Sequence, residues 1–186
     1  MEFKRHTKET APEASVPVLE ATEKAFGFSL NLFSVMAESP VALSAYVKVN
    51  ELLQEHAALT PQEQQVVMLA VSETNNCEYC MAAHSTVAEM TKVPEGATQA
   101  LRAGKEPEDA RLAALVRFTK SAIEHRGWIP ESEQKAFLDA GFTTRHVLDV
   151  ISILAMKTLS NYTNHLAQPP LDEAFAPKKW SKEGKT

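Results

Sequence analysis

The chain has 186 residues, of which 44% are hydrophobic and 23% are charged, and its formal net charge is −5 at pH 7. This length and composition are typical of a single soluble globular domain. The negative charge and the scattered lysines and arginines argue against a nucleic-acid-binding protein. No apolar run approaches the roughly 20 residues that span a bilayer, so no membrane role is expected.

The first residues of the chain are polar and lack the apolar core of a secretory signal peptide. A cytoplasmic location is therefore expected. We predict a flexible N-terminal arm over residues 1–15 and a single helical domain over residues 16–186.

Residues that favour the start of a helix recur along the predicted domain. Ser39-Pro40 precedes a segment with apolar residues at helical spacing. Thr60 and Glu63 form the pattern of a capping box, with a proline between them that suits a first helical turn. The sequence QQVVMLAVSE that follows is apolar on nearly all sides, which predicts a buried helix. Asn75 or Asn76 is expected to cap the next helix.

Further helix starts are predicted near three prolines and one pair of threonines, namely Pro94, Pro107, Pro130, and Thr143 or Thr144. The stretch HVLDVISILAMKTLSNYTNHL predicts a long apolar helix that ends in a polar cluster. Because no segment alternates convincingly between apolar and polar residues, we predict an all-α bundle of about seven or eight helices.

Both cysteines of the chain lie in one short segment, NNCEYCMAAHS. On a helix Cys77, Cys80 and His84 fall within an arc of about 60°, so their side chains share one face. A thiol near a helix N-terminus is favoured as thiolate. His84 stands four residues after Cys80 and could remove its proton, while two cysteines three residues apart can form a disulfide. The pattern indicates a redox centre.

Three other interpretations of this segment compete. A structural zinc site normally has four ligands, and this segment offers three. Covalent haem needs a histidine directly after the second cysteine, where Met81 stands. Two buried core cysteines beside a hydrogen-bonded histidine are the plain structural alternative. We expect no metal and no cofactor.

The run LTPQEQQVVMLAVSETNNCEYCMAAHS resembles the core motif of the AhpD-like alkylhydroperoxidases, within the carboxymuconolactone decarboxylase superfamily. The runs NLFSVMAESPVAL and NYTNHLAQPPLDEAF resemble its peroxidase-related branch, so the resemblance covers residues 25–180 approximately. It implies an AhpD-like helical bundle and a thiol-dependent peroxidase or disulfide reductase. Cys80 would attack the hydroperoxide or disulfide substrate, Cys77 would resolve the product into a disulfide, and His84 would take part in a proton relay.

Two positions depart from the AhpD-like motif. Gln65 stands where the relay glutamate is expected, and Tyr79 replaces a relay histidine between the cysteines. Since glutamine cannot titrate, Glu73, near the end of the same predicted helix, is the candidate substitute for the catalytic carboxylate. His165 is a weaker candidate for lining the site.

The resemblance also implies partners. A dithiol reductant, such as a dihydrolipoyl protein, would reduce the disulfide, and the family tends to form trimers or hexamers. The apolar helices and the aromatic-rich residues 26–33 likewise favour a homo-oligomer, unless the C-terminal segment PPLDEAFAPKKW folds back over them. The alternative functions are a non-enzymatic redox sensor or binding module, and a decarboxylase or lactone-processing enzyme.

Overall fold

The computed structural model describes residues 1–182, and within that range the chain is helical and contains no strand, as predicted. The described residues form nine α-helices, which are α1 (Val16–Phe26), α2 (Asn31–Met36), α3 (Pro40–His56), α4 (Pro61–Thr74), α5 (Glu78–Met90), α6 (Glu95–Arg102), α7 (Ala110–Glu124), α8 (Glu131–Asp139) and α9 (Thr144–Ala167). Short 3-10 helices lie before and after them, at Glu13–Ser15 and Glu173–Lys178.

Helix α4 lies at the centre of the bundle and packs against α5, α6, α7 and α9. The predicted capping box is present, because the Glu63 amide donates to Thr60 Oγ1 at 3.2 Å and the Thr60 amide donates to Glu63 Oε2 at 2.9 Å. Every residue from Glu63 to Glu73 is buried. The predicted burial of this helix is therefore confirmed, and its apolar surface is covered within the chain.

The predicted flexible arm, residues 1–15, packs against the domain. His6 is 6% exposed; its Nε2 lies 2.5 Å from Glu38 Oε2, and its amide donates to the Ser34 carbonyl at 2.9 Å. The buried Ser15 hydroxyl donates to the Ala37 carbonyl at 2.7 Å. These contacts join the arm to the segment around α2, which the polar composition did not indicate.

The segment after α9, residues 168–182, forms a strap that folds back across α5. Its short 3-10 helix packs on α5, and Phe175 and Trp180 are buried. The indole N–H of Trp180 donates to the Arg102 carbonyl at 2.7 Å. The Tyr79 hydroxyl, on α5, donates to Asp172 of the strap. We call residues 168–182 the C-terminal strap below.

Exposed apolar surface remains on α9, one of the apolar helices that the sequence suggested, and on α3. Of the aromatic-rich residues 26–33, Phe26 is 46% exposed. Leu30, Leu32 and Phe33 are buried within the chain, as α4 is. The exposed large apolar side chains of α3 and α9 are Val41, Leu52, Leu148, Ile151, Tyr162 and Leu166. None of the helices in residues 1–182 combines the length and hydrophobicity that a membrane crossing needs.

Candidate functional site

The turn between α4 and α5 places the two cysteines. Asn75 follows the last residue of α4, and Asn76 adopts a left-handed backbone with φ of 55°, which asparagine tolerates. The Cys77 amide then donates to the Ser72 carbonyl at 2.8 Å, closing the end of α4. Both asparagines are used in this turn, so Cys77, and not Asn75 or Asn76, is the N-cap of α5. Cys80 consequently lies in the first turn, closer to the helix N-terminus than expected.

Helix α9 supplies the polar groups that contact the sulfurs. Cys77 and Cys80 are free and buried, at 1% and 2% exposure. The Asn164 side-chain amide donates to Sγ of Cys80 at 3.2 Å and lies 3.7 Å from Sγ of Cys77. Oγ of Ser160 lies 3.9 Å from Sγ of Cys80. One amide therefore bridges a reduced pair of cysteines.

A buried lysine, Lys157 of α9, completes the site. Its side chain is fully buried beside Cys80, and its Nζ lies 2.8 Å from Nε2 of His84. Nδ1 of His84 lies 3.0 Å from Oε1 of Gln65. Because an amide oxygen only accepts, Nδ1 carries the ring proton and Nε2 accepts from the lysine. Gln65, His84, Lys157 and Cys80 thus form a continuous chain of contacts.

The charges of this site follow from burial and from these contacts. Burial opposes ionisation of Cys80, but a hydrogen bond from Cys77 and the charge of Lys157 hold the pKa of the Cys80 thiol well below its usual value. The hydrogen bond to Cys80 and burial raise the pKa of the Cys77 thiol. Burial, aided by the Lys157 charge, lowers the pKa of His84 far below its usual value. Within this pair Cys80 therefore favours the thiolate and Cys77 the thiol, while His84 favours the neutral imidazole and Lys157 the ammonium form.

A cleft of about 610 Å³ leads to the cysteines. Cys77 and Asn164 line it, Cys80 does not, and the strap contributes Trp180 to its wall. His165, the weaker candidate, also lines this cleft. Oδ1 of Asn164 is buried and has no hydrogen-bond partner. Among the described residues, no group of three or more His, Cys, Asp or Glu side chains has an arrangement that could hold a metal ion.

The carboxymuconolactone decarboxylase family matches residues 40–119, a range that contains both cysteines and His84. A solved structure of an uncharacterized peroxidase-related protein with an alkylhydroperoxidase AhpD core, from Ralstonia eutropha JMP134, is similar over 94% of this chain and 93% of that one, with a TM-score of 0.82 and 20% identity. This chain has the AhpD-like fold, and its residues 40–119 match the carboxymuconolactone decarboxylase family.

Two further structures have the same fold. An uncharacterized peroxidase-related protein from Silicibacter sp. TM1040 covers 89% of this AhpD-like chain with 88% of its own, at a TM-score of 0.73 and 19% identity. The debrominase Bmp8, as a cysteine-to-alanine variant in complex with 2,3,4-tribromopyrrole, covers 96% of this chain with 95% of its own, at a TM-score of 0.75 and 14% identity. No curated protein matches the chain.

The structure does not bring Glu73 together with His84. The carboxylate of this buried residue is paired with Nζ of Lys120 at 2.9 Å and with Nζ of Lys182, in the strap, at 2.7 Å. Burial opposes ionisation of Glu73, but hydrogen bonds from the two lysines lower its pKa overall. The contact with Lys182 attaches the strap to α4. The residue of α4 that contacts His84 is Gln65.

Sequence reasoning missed Lys157 and the sulfur contact of Asn164. Both belong to α9, far along the chain from the cysteines. The available signal was a single lysine inside the otherwise apolar run ISILAMKTLS. A charged residue in a helix that must be buried needs a partner, and this criterion points to Lys157 from sequence alone.

In this AhpD-like protein we expect Glu73→Gln to lower stability and to leave kcat close to that of the wild type. The loss is on the order of 1–3 kcal/mol, because a charged, buried acceptor is removed while its lysine partners remain partly exposed. Gln65→Leu, by contrast, removes the acceptor that orients His84 and should slow turnover. Thermal melts and kcat for the two variants test this pair. A Glu73→Gln variant with an unchanged melt and lost turnover would restore Glu73 to the mechanism.

Proposed function

We propose that this protein is a thiol-dependent oxidoreductase that reduces a hydroperoxide or disulfide substrate by cycling a Cys77–Cys80 disulfide. The observation that supports this most directly is the position of the two sulfurs, which share the Asn164 amide and lie beside the fully buried Lys157. These surroundings favour a thiolate at Cys80 and a thiol at Cys77. A charged nucleophile and an uncharged resolving thiol then lie side by side, as a two-cysteine mechanism requires. The reducing conditions of the cytoplasm would keep both thiols available between turnovers.

The reaction balances as two steps. The Cys80 thiolate attacks the terminal oxygen of a hydroperoxide, the O–O bond breaks, and the leaving alkoxide takes up a proton to become an alcohol. The resulting Cys80 sulfenic acid is attacked by the Cys77 thiol, which releases water and leaves the disulfide. A dithiol then donates two electrons and two protons to restore the cysteines.

The cleft favours attack of the reductant on Cys77. Cys77 lines the cleft, whereas Cys80 lies behind it. Attack on the Cys77 sulfur releases Cys80, and the low pKa of the Cys80 thiol makes it the better leaving group. A partner that presents a dithiol on an extended arm, such as a dihydrolipoyl protein, fits this geometry.

The experiment is dithiol-dependent peroxide consumption by the purified protein, combined with mass spectrometry of the thiols. We expect many turnovers per chain. One equivalent of peroxide should give a mass loss of about two hydrogens with no intermolecular adduct. Bound stoichiometric zinc with unreactive thiols would exclude the redox function, and one oxidation per chain without turnover would indicate a sensor.

The fold shared with the debrominase Bmp8 favours one further substrate class, brominated pyrroles. Reductive removal of bromide needs two electrons, which a Cys77–Cys80 dithiol can supply. The same preparation should therefore be assayed for bromide release from 2,3,4-tribromopyrrole. Bromide release that exceeds peroxide consumption would identify a dehalogenase.

We also propose that the protein is a homo-oligomer assembled through the exposed apolar face of α3 and α9. Side chains such as Leu148 and Leu166 are each 67% exposed, which is unfavourable unless another subunit covers them. Light scattering should give a multiple of the 20.5 kDa chain mass, and Leu148→Glu should dissociate the assembly. Leu138→Glu, at an exposed leucine of α8, is the matched control. A monomeric mass that does not change on concentration contradicts the proposal.

A further inference from the structure

The reduced site contains a buried cation beside an anion that the reaction consumes. Lys157 is 0% exposed, and the Cys80 thiolate is the anion beside it. We propose that Lys157 transfers its ammonium proton to the product each time the disulfide forms and regains a proton when the disulfide is reduced. This inference rests on the proposed redox function and gives Lys157 a catalytic role in it.

The counter-ion of Lys157 is the Cys80 thiolate, because the other described groups that face the lysine carry no negative charge. Helix α5 contributes Cys77, Cys80 and the neutral His84, and α3 contributes Tyr46, whose pKa is raised by burial so that it stays neutral. Helices α2 and α4 add no charge there: α2 has no titratable residue, and α4 presents the amide of Gln65.

The cationic side chains of α7 are paired with carboxylates away from Lys157. These pairs are Arg111 with Glu63, Arg117 with Glu106 and Lys120 with Glu73. Among the described residues, no carboxylate forms an ion pair with Lys157.

Charge balance then links the lysine to the reaction. The first step converts a thiolate, an ammonium group and a hydroperoxide into a sulfenic acid, an amine and an alcohol, so that both charges disappear together. Condensation with the Cys77 thiol then yields the disulfide and water. An ammonium group kept in the oxidised site would be buried without a counter-ion, and documented buried lysines in such surroundings have pKa values of about 5 to 6.

His84 provides the connection to solvent. Its Nε2 lies 2.8 Å from Nζ of Lys157 and faces it with a lone pair, since Gln65 holds the ring proton on Nδ1. His84 as a whole residue keeps some exposed surface, whereas Lys157 has none. Reprotonation of the lysine during reduction can therefore pass through this imidazole.

The test counts the protons released when the dithiol is oxidised at pH 8 by two equivalents of ferricyanide, a one-electron oxidant that takes up no protons. A hydroperoxide is unsuitable as the oxidant here, because its own reduction consumes two protons. In the wild type we expect two protons per disulfide, one from Cys77 and one from Lys157. In Lys157→Arg we expect one, because the guanidinium remains charged in both states. In Lys157→Met we expect two, since Cys80 then begins as a thiol. The same count can be read from the slope of the reduction potential against pH. For this two-electron couple, one proton gives a slope of about 30 mV per pH unit and two protons give about 59 mV.

Thiolate absorbance of the reduced wild type is the companion measurement and needs no variant. A thiolate together with two released protons requires a donor other than cysteine, as we expect. One released proton in the wild type, or two in Lys157→Arg, would refute the role of Lys157 while leaving disulfide cycling intact. Failure to form a reversible disulfide would instead refute the proposed function, so the two failures are distinguishable.

Discussion

Replacement of Cys80 by serine is expected to reduce dithiol-dependent peroxide consumption to the rate of the reaction without protein. A serine hydroxyl is not ionised near neutral pH and cannot take the place of the thiolate that Lys157 and Asn164 stabilise. Because Cys80 lies in the first turn of α5 and is replaced by a residue of similar size, the fold should persist. Peroxide consumption at several dithiol concentrations, with a circular dichroism spectrum of the variant, provides the measurement.

Cys77→Ser is the matched comparison, because it removes the resolving thiol and leaves the nucleophile. This variant should consume about one peroxide per chain and accumulate a Cys80 sulfenic acid, which a sulfenate-specific reagent will label. If Cys80→Ser still consumed about one peroxide per chain and Cys77→Ser lost this first oxidation, the assignment of nucleophile and resolving thiol would be reversed. A reversed result would agree with the position of Cys77, which lines the cleft that a substrate could enter.

His84→Ala is expected to slow reaction with peroxide by about 10²- to 10⁴-fold, the range for a lost acid–base group. The effect is expected to act through Lys157, whose Nζ loses the acceptor it has at 2.8 Å. Stopped-flow oxidation of the reduced protein over a range of pH measures this directly. His125→Ala, at an exposed histidine just after α7, is the control and should behave as the wild type does. A rate and a pH profile unchanged by His84→Ala would remove the imidazole from the mechanism.

The same histidine predicts how stability depends on pH. Burial and the Lys157 charge lower the pKa of His84 in the folded state, so the unfolded chain binds more protons between the two pKa values. The stabilisation by the neutral ring is fully present above the ordinary value of about 6.5 and is lost as pH falls through the folded pKa. Acid titration of the free energy of unfolding should show this loss in the wild type and a smaller one in His84→Ala.

Local interactions made much of this structure predictable. The capping box of Thr60 and Glu63 involves atoms three residues apart, and the burial of α4 follows from its apolar residues on all sides. The spacing of Cys77 and Cys80 places both near one helix end whatever surrounds them. Such features depend on hydrogen bonds and periodicity within a few residues, which the order of amino acids determines by itself.

The partners of those residues were decided by tertiary packing. The sequence places Lys157 in an apolar helix, but only the contact of α9 with α4 and α5 brings its ammonium to His84 and Cys80. Glu73 shares α4 with Gln65, yet its carboxylate contacts Lys120 and a strap lysine and not His84, a pairing that proximity along the chain did not indicate. Pairings between distant segments depend on how whole helices cross, and periodicity within one helix contains no information about the helix it will meet. The fold class and the placement of both cysteines near one helix end were therefore readable from the sequence, whereas the groups that surround the two sulfurs required the three-dimensional structure.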